Sequence, residues 1–147
     1  MAQTILVAVD GSPLSRRAFD RALEDSDERV VVLHVIDPSD PGYSTPVDVD
    51  TTIEPRHGSE EWYERAREHA QALFDELEDR GGQTDIDVEM VTVSGDPARS
   101  VVDYAESNDV DQIYVGGHGR SGETNITLGR VAELVVARAP VTVTVVR

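Results

Sequence analysis

The stretch TILVAVDGSPLSRRAFDRALE, residues 4–24, decides the fold class of this chain. An uninterrupted apolar run over Thr4–Val9 stops at Asp10, which predicts a strand buried on both faces. Ser12 is a favoured N-cap residue, and Pro13 fits the first position of a helix. The stretch therefore predicts a buried strand followed by a helix, which is the repeating unit of a parallel α/β sheet.

The same alternation of strand and helix continues to the end of the chain. Four further strands are predicted, over Arg29–Ile36, Ile86–Val93, Gln112–Gly116 and Val141–Val146. Three further helices are predicted, over Ser59–Arg80, from Asp96 and Pro97 onward, and from Gly129 to a stop at Pro140. We therefore expect an α/β fold with a single open, mainly parallel five-stranded sheet, helices on both faces, and one domain over residues 1–147.

Three local features refine this prediction. The segment Asp37–Gly58 holds four prolines and two glycines, which predicts a long loop. The pair Gly81-Gly82 predicts a left-handed C-cap for the helix before it. The strand over Ile86–Val93 alternates apolar and polar residues, so we expect one wetter face and a position near a sheet edge.

Composition excludes several classes of function. The chain has no cysteine and no lysine, which excludes disulfides, thiolate nucleophiles, cysteine zinc sites, Schiff bases and a P-loop lysine. A formal net charge of −16 argues against nucleic-acid partners and anionic membranes. No apolar run is long enough to span a bilayer, and the first residues do not resemble a signal peptide. The acidic, lysine-free composition favours a halophilic, cytoplasmic protein.

The four histidines do not predict a metal site, because no ligand spacing joins them. His34 lies inside a predicted buried strand, so we interpret it as a packed core residue. His57 and His69 are expected at the surface. We therefore expect no metal held by protein ligands alone.

Three glycines, Gly116, Gly119 and Gly129, lie between the last two apolar runs. Because glycine has no Cβ, backbone N–H groups there can approach a ligand closely, and a helix N-terminus favours an anion. The alternative is that these glycines only form tight turns and let the last helix pack closely. Ligands of open parallel sheets bind at the carboxyl ends of strands, where Asp10 and Gly116 stand.

The segments ILVAVDGS, VVLHVID and GGHGRSGETNITLGRVAELVVARAPVTVTVV together resemble the universal stress protein family. The most specific part is the spacing of Gly116, Gly119 and Gly129, supported by His118 to Arg120 in the sequence HGR. This resemblance covers nearly the whole chain. It implies strand order 3-2-1-4-5 and a stress-response regulator that binds ATP or another adenine nucleotide, with or without magnesium.

The resemblance also implies which residues bind the nucleotide. The nucleoside side is assigned to residues at the carboxyl ends of the first, second and fourth strands, namely Ala8, Asp10, Val35, Val115 and Gly116. The phosphate side is assigned to the glycine loop and the helix that follows, namely His118, Gly119, Arg120, Gly129, Arg130 and Val131. Asp10 is expected to accept a hydrogen bond from the nucleoside, and Gly119 and Gly129 to donate N–H groups to phosphates.

Arg130 departs from the pattern of ATP-binding members, which have Ser or Thr directly after the last glycine. Three outcomes are open: Arg130 pairs with phosphate, blocks the phosphate cradle, or faces solvent and pairs with Glu133. If the cradle is blocked, the chain is a nucleotide-independent dimeric interaction module. No catalytic residue is predicted, and at most slow ATP hydrolysis is expected, because no nucleophile elbow occurs.

The final strand Val141–Val146 is rich in β-branched residues and, at a sheet edge, would leave backbone groups unpaired. Pairing with the same strand of a second copy would satisfy both edges about a two-fold axis. The resembling family commonly dimerises through this strand. We therefore expect a homodimer, with no nucleic-acid or membrane partner.

Overall fold

The computed structural model describes residues 3–38, 58–117 and 129–147. Five strands lie in these residues: β1 Thr4–Val9, β2 Arg29–Ile36, β3 Asp87–Ser94, β4 Gln112–Gly116 and β5 Thr142–Val146. Four helices lie between them: α1 Pro13–Asp25, α2 Glu60–Gly81, α3 Pro97–Ser107 and α4 Arg130–Arg138. The predicted bounds of β1, β2 and β4 are confirmed; those of β3 differ by one residue at each end, and those of β5 by one residue at its start.

The strands form one sheet in the order β3-β2-β1-β4-β5, and every neighbouring pair is parallel. The expected order and fold class are therefore confirmed, including the edge position of β3. In the register, Val9 is opposite His34, and Gly116 is opposite Val146. Because all five strands are parallel, their carboxyl ends meet along one side of the sheet, with β1 and β4 adjacent at its centre.

The helices cover both faces of the sheet, as predicted. On one face, α1 and α2 pack against side chains of β1, β2 and β4 in a cluster that includes the fully buried Phe19 and Leu77. On the other face, α3 and α4 pack against alternate residues of the same strands around Ile113 and Val135. Each fully buried side chain of this size contributes about 1.5–3 kcal/mol to the free energy of folding.

Two polar side chains of the sheet face α1 and α2. His34 is buried, its Nδ1–H donates to the carbonyl of Val9 at 2.9 Å, and its ring meets Phe74 edge-on. The prediction of a packed core histidine is confirmed. The hydroxyl of Tyr114 donates to Asp25 at 2.6 Å, and burial together with this acidic partner raises the pKa of Tyr114.

The end of α2 corrects the prediction of a left-handed C-cap at Gly81-Gly82. Gly82 has a φ of −64°, in the right-handed region, and the turn closes when Thr84 donates to the carbonyl of Gly81. A Cβ on Gly81 would lie 3.1 Å from Cγ2 of Val88. Close packing of α2 on β3 therefore accounts for the first glycine, and no positive φ is needed. In the described ranges, none of these helices is long and apolar enough to cross a membrane.

Candidate functional site

Asp10 follows the last residue of β1 and begins a tight turn into α1. Gly11 has a φ of +84°, a left-handed conformation that favours glycine. This turn directs the N–H of Ser12 back to Oδ1 of Asp10 at 2.9 Å. One oxygen of the Asp10 carboxylate is thus engaged by the backbone, and no described residue donates to the other.

Two serines close the first turn of α1 on itself. The Oγ of Ser12 accepts the N–H of Ser15 at 3.2 Å, which confirms Ser12 as the N-cap. The hydroxyl of Ser15 donates to the carbonyl of Ser12 at 2.9 Å, and Ser15 is buried. Side chains of the first turn therefore cap α1, and the N–H of Ser12 holds Asp10 in a defined orientation at the end of β1.

Ala8, Val35 and Val115 come from three different strands and share one apolar cluster near the carboxyl ends of those strands. Val35 and Val115 are almost fully buried, whereas Ala8 is only partly buried. Val131 of α4 packs against the same cluster. The structure thus brings together the four apolar residues that the sequence assigned to the site.

Gly116 serves the packing of α1 on β4. A Cβ at this position would lie 3.0 Å from Cβ and the carbonyl carbon of Leu14 and 3.1 Å from the nitrogen of Ser15. The absent side chain therefore points towards α1, on the face of the sheet opposite to Val115. Close helix packing, the alternative considered for these glycines, therefore accounts for Gly116. The helix that packs there is α1, and not the last helix, α4.

Gly117 and Gly129 join β4, β5 and α4. The N–H of Gly117 donates to the carbonyl of Val146 at 2.8 Å, and the N–H of Gly129 donates to the carbonyl of Gly117. Because the Gly129 N–H is engaged in this way, it is not the donor that a phosphate would use. Gly129 instead serves as the N-cap of α4, with an extended backbone and no side chain to cap the helix.

The first turn of α4 carries backbone N–H donors next to Gly117, the residue that follows β4. The N–H groups of Arg130, Val131 and Ala132 precede the first intrahelical bond, which runs from Glu133 to the carbonyl of Gly129. No acceptor for these three groups lies among residues 3–38, 58–117 and 129–147. Three aligned N–H groups and the positive end of the helix dipole form the chemistry of an anion site.

Arg130 is exposed and makes no ion pair with the described part of the chain. The expected alternative in which Arg130 pairs with Glu133 is therefore not observed. The side chain is exposed and not buried against the other described residues.

His118, Gly119 and Arg120 lie outside the described residues, and their assignment to the site stays a prediction from the sequence. Across the three described ranges, no group of three or more His, Asp or Glu side chains is arranged to hold a metal ion.

Two features near the site were not predicted. Asp37 is buried directly after β2, and its signal was the repeated pattern of an apolar strand followed by aspartate, as in Val9-Asp10. Arg16 of α1 contacts the carbonyl of Gly11 through Nη1 and Glu76 of α2 through Nε. No sequence signal links Arg16 to Glu76, because they are 60 residues apart.

Comparisons with known proteins agree with the observed fold. The model of the universal stress protein family matches residues 1–147. The universal stress protein YxiE of Bacillus subtilis is 24% identical, with 100% of each chain covered. The solved structure of the hypothetical protein MJ0577 is 26% identical with a TM-score of 0.82, over 99% of this chain and 96% of that one.

A solved universal stress protein in complex with cAMP is 25% identical, with a TM-score of 0.67 over 99% of this chain and 97% of that one. The sheet order, the turn at Asp10 and the glycine-capped last helix thus occur in a chain matched over its full length by one family model. The chain belongs to the universal stress protein family.

Proposed function

We propose that this protein binds an adenine nucleotide, ATP or a related molecule, at the carboxyl ends of β1 and β4. The observation that carries the proposal is the uncapped N-terminus of α4, which has three backbone donors beside an apolar wall. The relative in complex with cAMP supports an adenine nucleotide as the ligand. Family membership supports a role as a stress-response regulator.

The apolar residues Ala8, Val35 and Val115 would contact the base and sugar. Ala8 is the partly exposed member of this set, so it is the one that offers apolar surface to a ligand. Asp10 has one carboxylate oxygen without a described donor, which suits a hydroxyl or amino group of the nucleoside. Gly116 allows α1, which follows Asp10, to pack closely on β4 through Leu14.

The phosphates would bind the N–H groups at the start of α4. Gly129 leaves room for this by carrying no side chain, and the dipole of α4 offsets part of the adverse field of a chain with net charge −16. His118, Gly119 and Arg120 complete this side of the site in the proposal. A magnesium ion would accompany the phosphates rather than a dedicated protein site.

Isothermal titration with ATP, AMP and cAMP in molar KCl, with and without magnesium, tests the proposal. We expect heat from at least one nucleotide, and weaker binding when Asp10 is changed to Asn. The matched control is Asp96→Asn, which alters the N-cap of α3 after the edge strand β3. If no nucleotide gives heat, the proposal is wrong.

Arg130 supports a second candidate function, a nucleotide-independent interaction module. The residue that follows the last glycine lacks a hydroxyl, and its side chain is exposed and unpaired among the described residues. Mass spectrometry of ligand extracted from the purified protein separates the two functions. Stoichiometric nucleotide would contradict the module, and Arg130→Ala then reports whether the guanidinium contributes more to ATP binding than to AMP binding.

We propose that the protein is a homodimer paired through β5. This strand lies at the sheet edge and carries only Thr and Val over its length, with no charged residue to discourage pairing. The other edge strand, β3, carries Asp87 and Glu89. Light scattering on Val143→Asp in molar KCl tests the dimer: a wild-type monomer would exclude it, and Glu89→Gln is the control on the opposite edge.

Two further proposals concern the salt concentration and compartment in which the protein works, and its catalytic activity. We infer a halophilic, cytoplasmic protein from the acidic, lysine-free composition, and this predicts a free energy of unfolding that rises with KCl as charge repulsion is screened. A free energy of unfolding that does not change between low and molar KCl would contradict it.

Hydrolysis of ATP is expected to be slow or absent, and phosphate release measured with Asp10→Ala tests any part played by that carboxylate.

A further inference from the structure

We propose that Arg16 is a positioning residue of the nucleotide site, which acts through the peptide group linking Gly11 to Ser12. The inference rests on the proposed function for its effect on binding. Its structural part, the orientation of Asp10, is independent of any ligand.

The peptide group between Gly11 and Ser12 is held at both ends. Its N–H belongs to Ser12 and donates to Oδ1 of Asp10 at 2.9 Å. Its carbonyl belongs to Gly11 and accepts a hydrogen bond from Nη1 of Arg16. The peptide dipole thus points its positive end at a carboxylate and its negative end at a guanidinium, and each charged bond strengthens the other.

Arg16 is in turn held by α2. Its Nε donates to Glu76 at 2.7 Å, so two nitrogens of one planar guanidinium reach two acceptors on different elements. The Arg16 side chain is 33% exposed and that of Glu76 is 44% exposed, so the ion pair alone contributes little to stability. The ion pair with Glu76 instead acts on geometry, because it holds the Arg16 guanidinium against the Gly11 carbonyl.

This chain of contacts restrains a peptide that is otherwise free to rotate. Gly11 has no Cβ and has a φ of +84°, so its own side chain imposes no barrier to a peptide flip. A flip would break the bond from Ser12 to Asp10 and the bond from Arg16 to Gly11 together. Arg16 therefore keeps Oδ1 of Asp10 occupied and its second oxygen directed for a nucleoside.

The chain offers a matched control for this inference. Arg80 of α2 pairs with Asp20 of α1 at 2.9 Å, with exposed fractions of 40% and 49%. Both arginines join α1 to α2, but only Arg16 touches the turn at Asp10. Comparing Arg16→Gln with Arg80→Gln therefore separates the loss of an interhelical ion pair from the loss of turn positioning.

The first measurement needs no ligand. Hydrogen exchange of the Ser12 amide is followed by NMR in wild type and in both variants. We expect exchange to be about tenfold faster in Arg16→Gln than in Arg80→Gln, because only the former frees the peptide. Arg16→Lys should not restore protection, since one ammonium lacks the fork that reaches both acceptors. Equal exchange in Arg16→Gln and Arg80→Gln overturns the inference.

The second measurement is the affinity for ATP and AMP by titration. We expect Arg16→Gln to weaken both about tenfold, and Arg80→Gln to change neither. In the Asp10→Asn background, Arg16→Gln should have less effect, because its action passes through that carboxylate. An undiminished effect there overturns the inference. Wild-type protein that binds neither ligand removes the proposed function, and the exchange comparison still decides the role of Arg16.

Discussion

The N-termini of α1 and α4 follow neighbouring strands of the sheet, but only α1 caps itself. In α1, the Ser12 hydroxyl accepts the N–H of Ser15, and Pro13 has no N–H to satisfy. In α4, the N-cap is Gly129, which has no side chain. The start of α1 lies beside Gly116 at the carboxyl end of β4, and the start of α4 lies next to Gly117 at the same end, so the difference is in capping.

The other two helices behave as α1 does. Ser59 accepts the N–H of Trp62 at the start of α2, and Asp96 accepts the N–H of Arg99 at the start of α3. A capping side chain of this kind contributes about 1 kcal/mol to stability. Among the described helices, α4 alone forgoes it, so a glycine N-cap gives up local stability and leaves the first N–H groups of the helix without a side-chain acceptor.

The largest expected effect is that of Gly116→Ala, which breaks the placement of α1. The new Cβ would lie 3.0 Å from backbone and side-chain atoms of Leu14, and α1 must shift to admit it. We expect a loss of about 2–3 kcal/mol in the free energy of unfolding, measured in urea. Gly117→Ala is the control, because its nearest contact at 3.3 Å is the flexible side chain of Arg147. Equal losses in the two variants would contradict this reading of Gly116.

The next effect comes from Gly129→Asp, which gives α4 the kind of N-cap that α3 has. The extended backbone at Gly129, with a φ of −69°, suits any residue. The carboxylate would occupy the free N–H groups and repel a phosphate, so we expect ATP affinity to fall about tenfold or more while stability rises by a few tenths of a kcal/mol. Titration and urea unfolding measure the two. Gly129→Ser, a cap without charge, should lose less affinity, and unchanged ATP binding in Gly129→Asp would place the phosphate elsewhere.

A smaller effect is expected from Ser12→Ala, which makes α1 resemble α4. The variant loses the hydroxyl that accepts the N–H of Ser15. We expect a loss of about 1 kcal/mol in the free energy of unfolding, and a similar loss for Ser59→Ala at the start of α2. If Ser12→Ala is as stable as wild type, the N-cap of α1 does not stabilise the protein. The capped α1 and the uncapped α4 would then not differ in their contribution to stability.

The smallest effect concerns the far end of α1, where Tyr114 donates to Asp25. Burial and this hydrogen bond raise the pKa of Tyr114, so the folded state favours the protonated phenol. Stability from this group is complete below the ordinary tyrosine pKa of about 10 and is lost as the pH rises through the higher pKa of the folded state. Unfolding followed from pH 9 to pH 11.5 should show a shallower decline in Tyr114→Phe than in wild type. Parallel declines would refute the assignment.

Most of the secondary structure was predictable because its signals are local. Apolar runs and polar stops gave the bounds of β1, β2 and β4, and the residues Ser12 and Asp96 were correctly predicted to start helices. The order of the strands was not contained in these patterns and came from the family resemblance. Pairing between strands is a contact at long sequence separation, which periodicity does not encode.

The assignment of residues to a nucleotide site stays a prediction, although the structure shows where several of them lie. The resemblance grouped Ala8, Val35 and Val115, and these three residues lie in one apolar cluster. It assigned a phosphate contact to the N–H of Gly129, which the structure shows to be donated to Gly117. A glycine in a sequence indicates that another group lies close to the backbone at that position. It does not indicate whether this group belongs to a ligand, a carbonyl or a packed helix.

The sequence by itself determined the alternation of five strands with four helices, the residues Ser12 and Asp96 at the start of two helices, and the exclusion of cysteine and lysine chemistry. Only the tertiary structure decided that Gly116 makes room for α1, that Gly82 needs no positive φ, and that Arg16 joins Gly11 to Glu76. The physical reason is distance along the chain: capping and periodicity act within a few residues. The remaining contacts form only after the sheet has brought distant segments together.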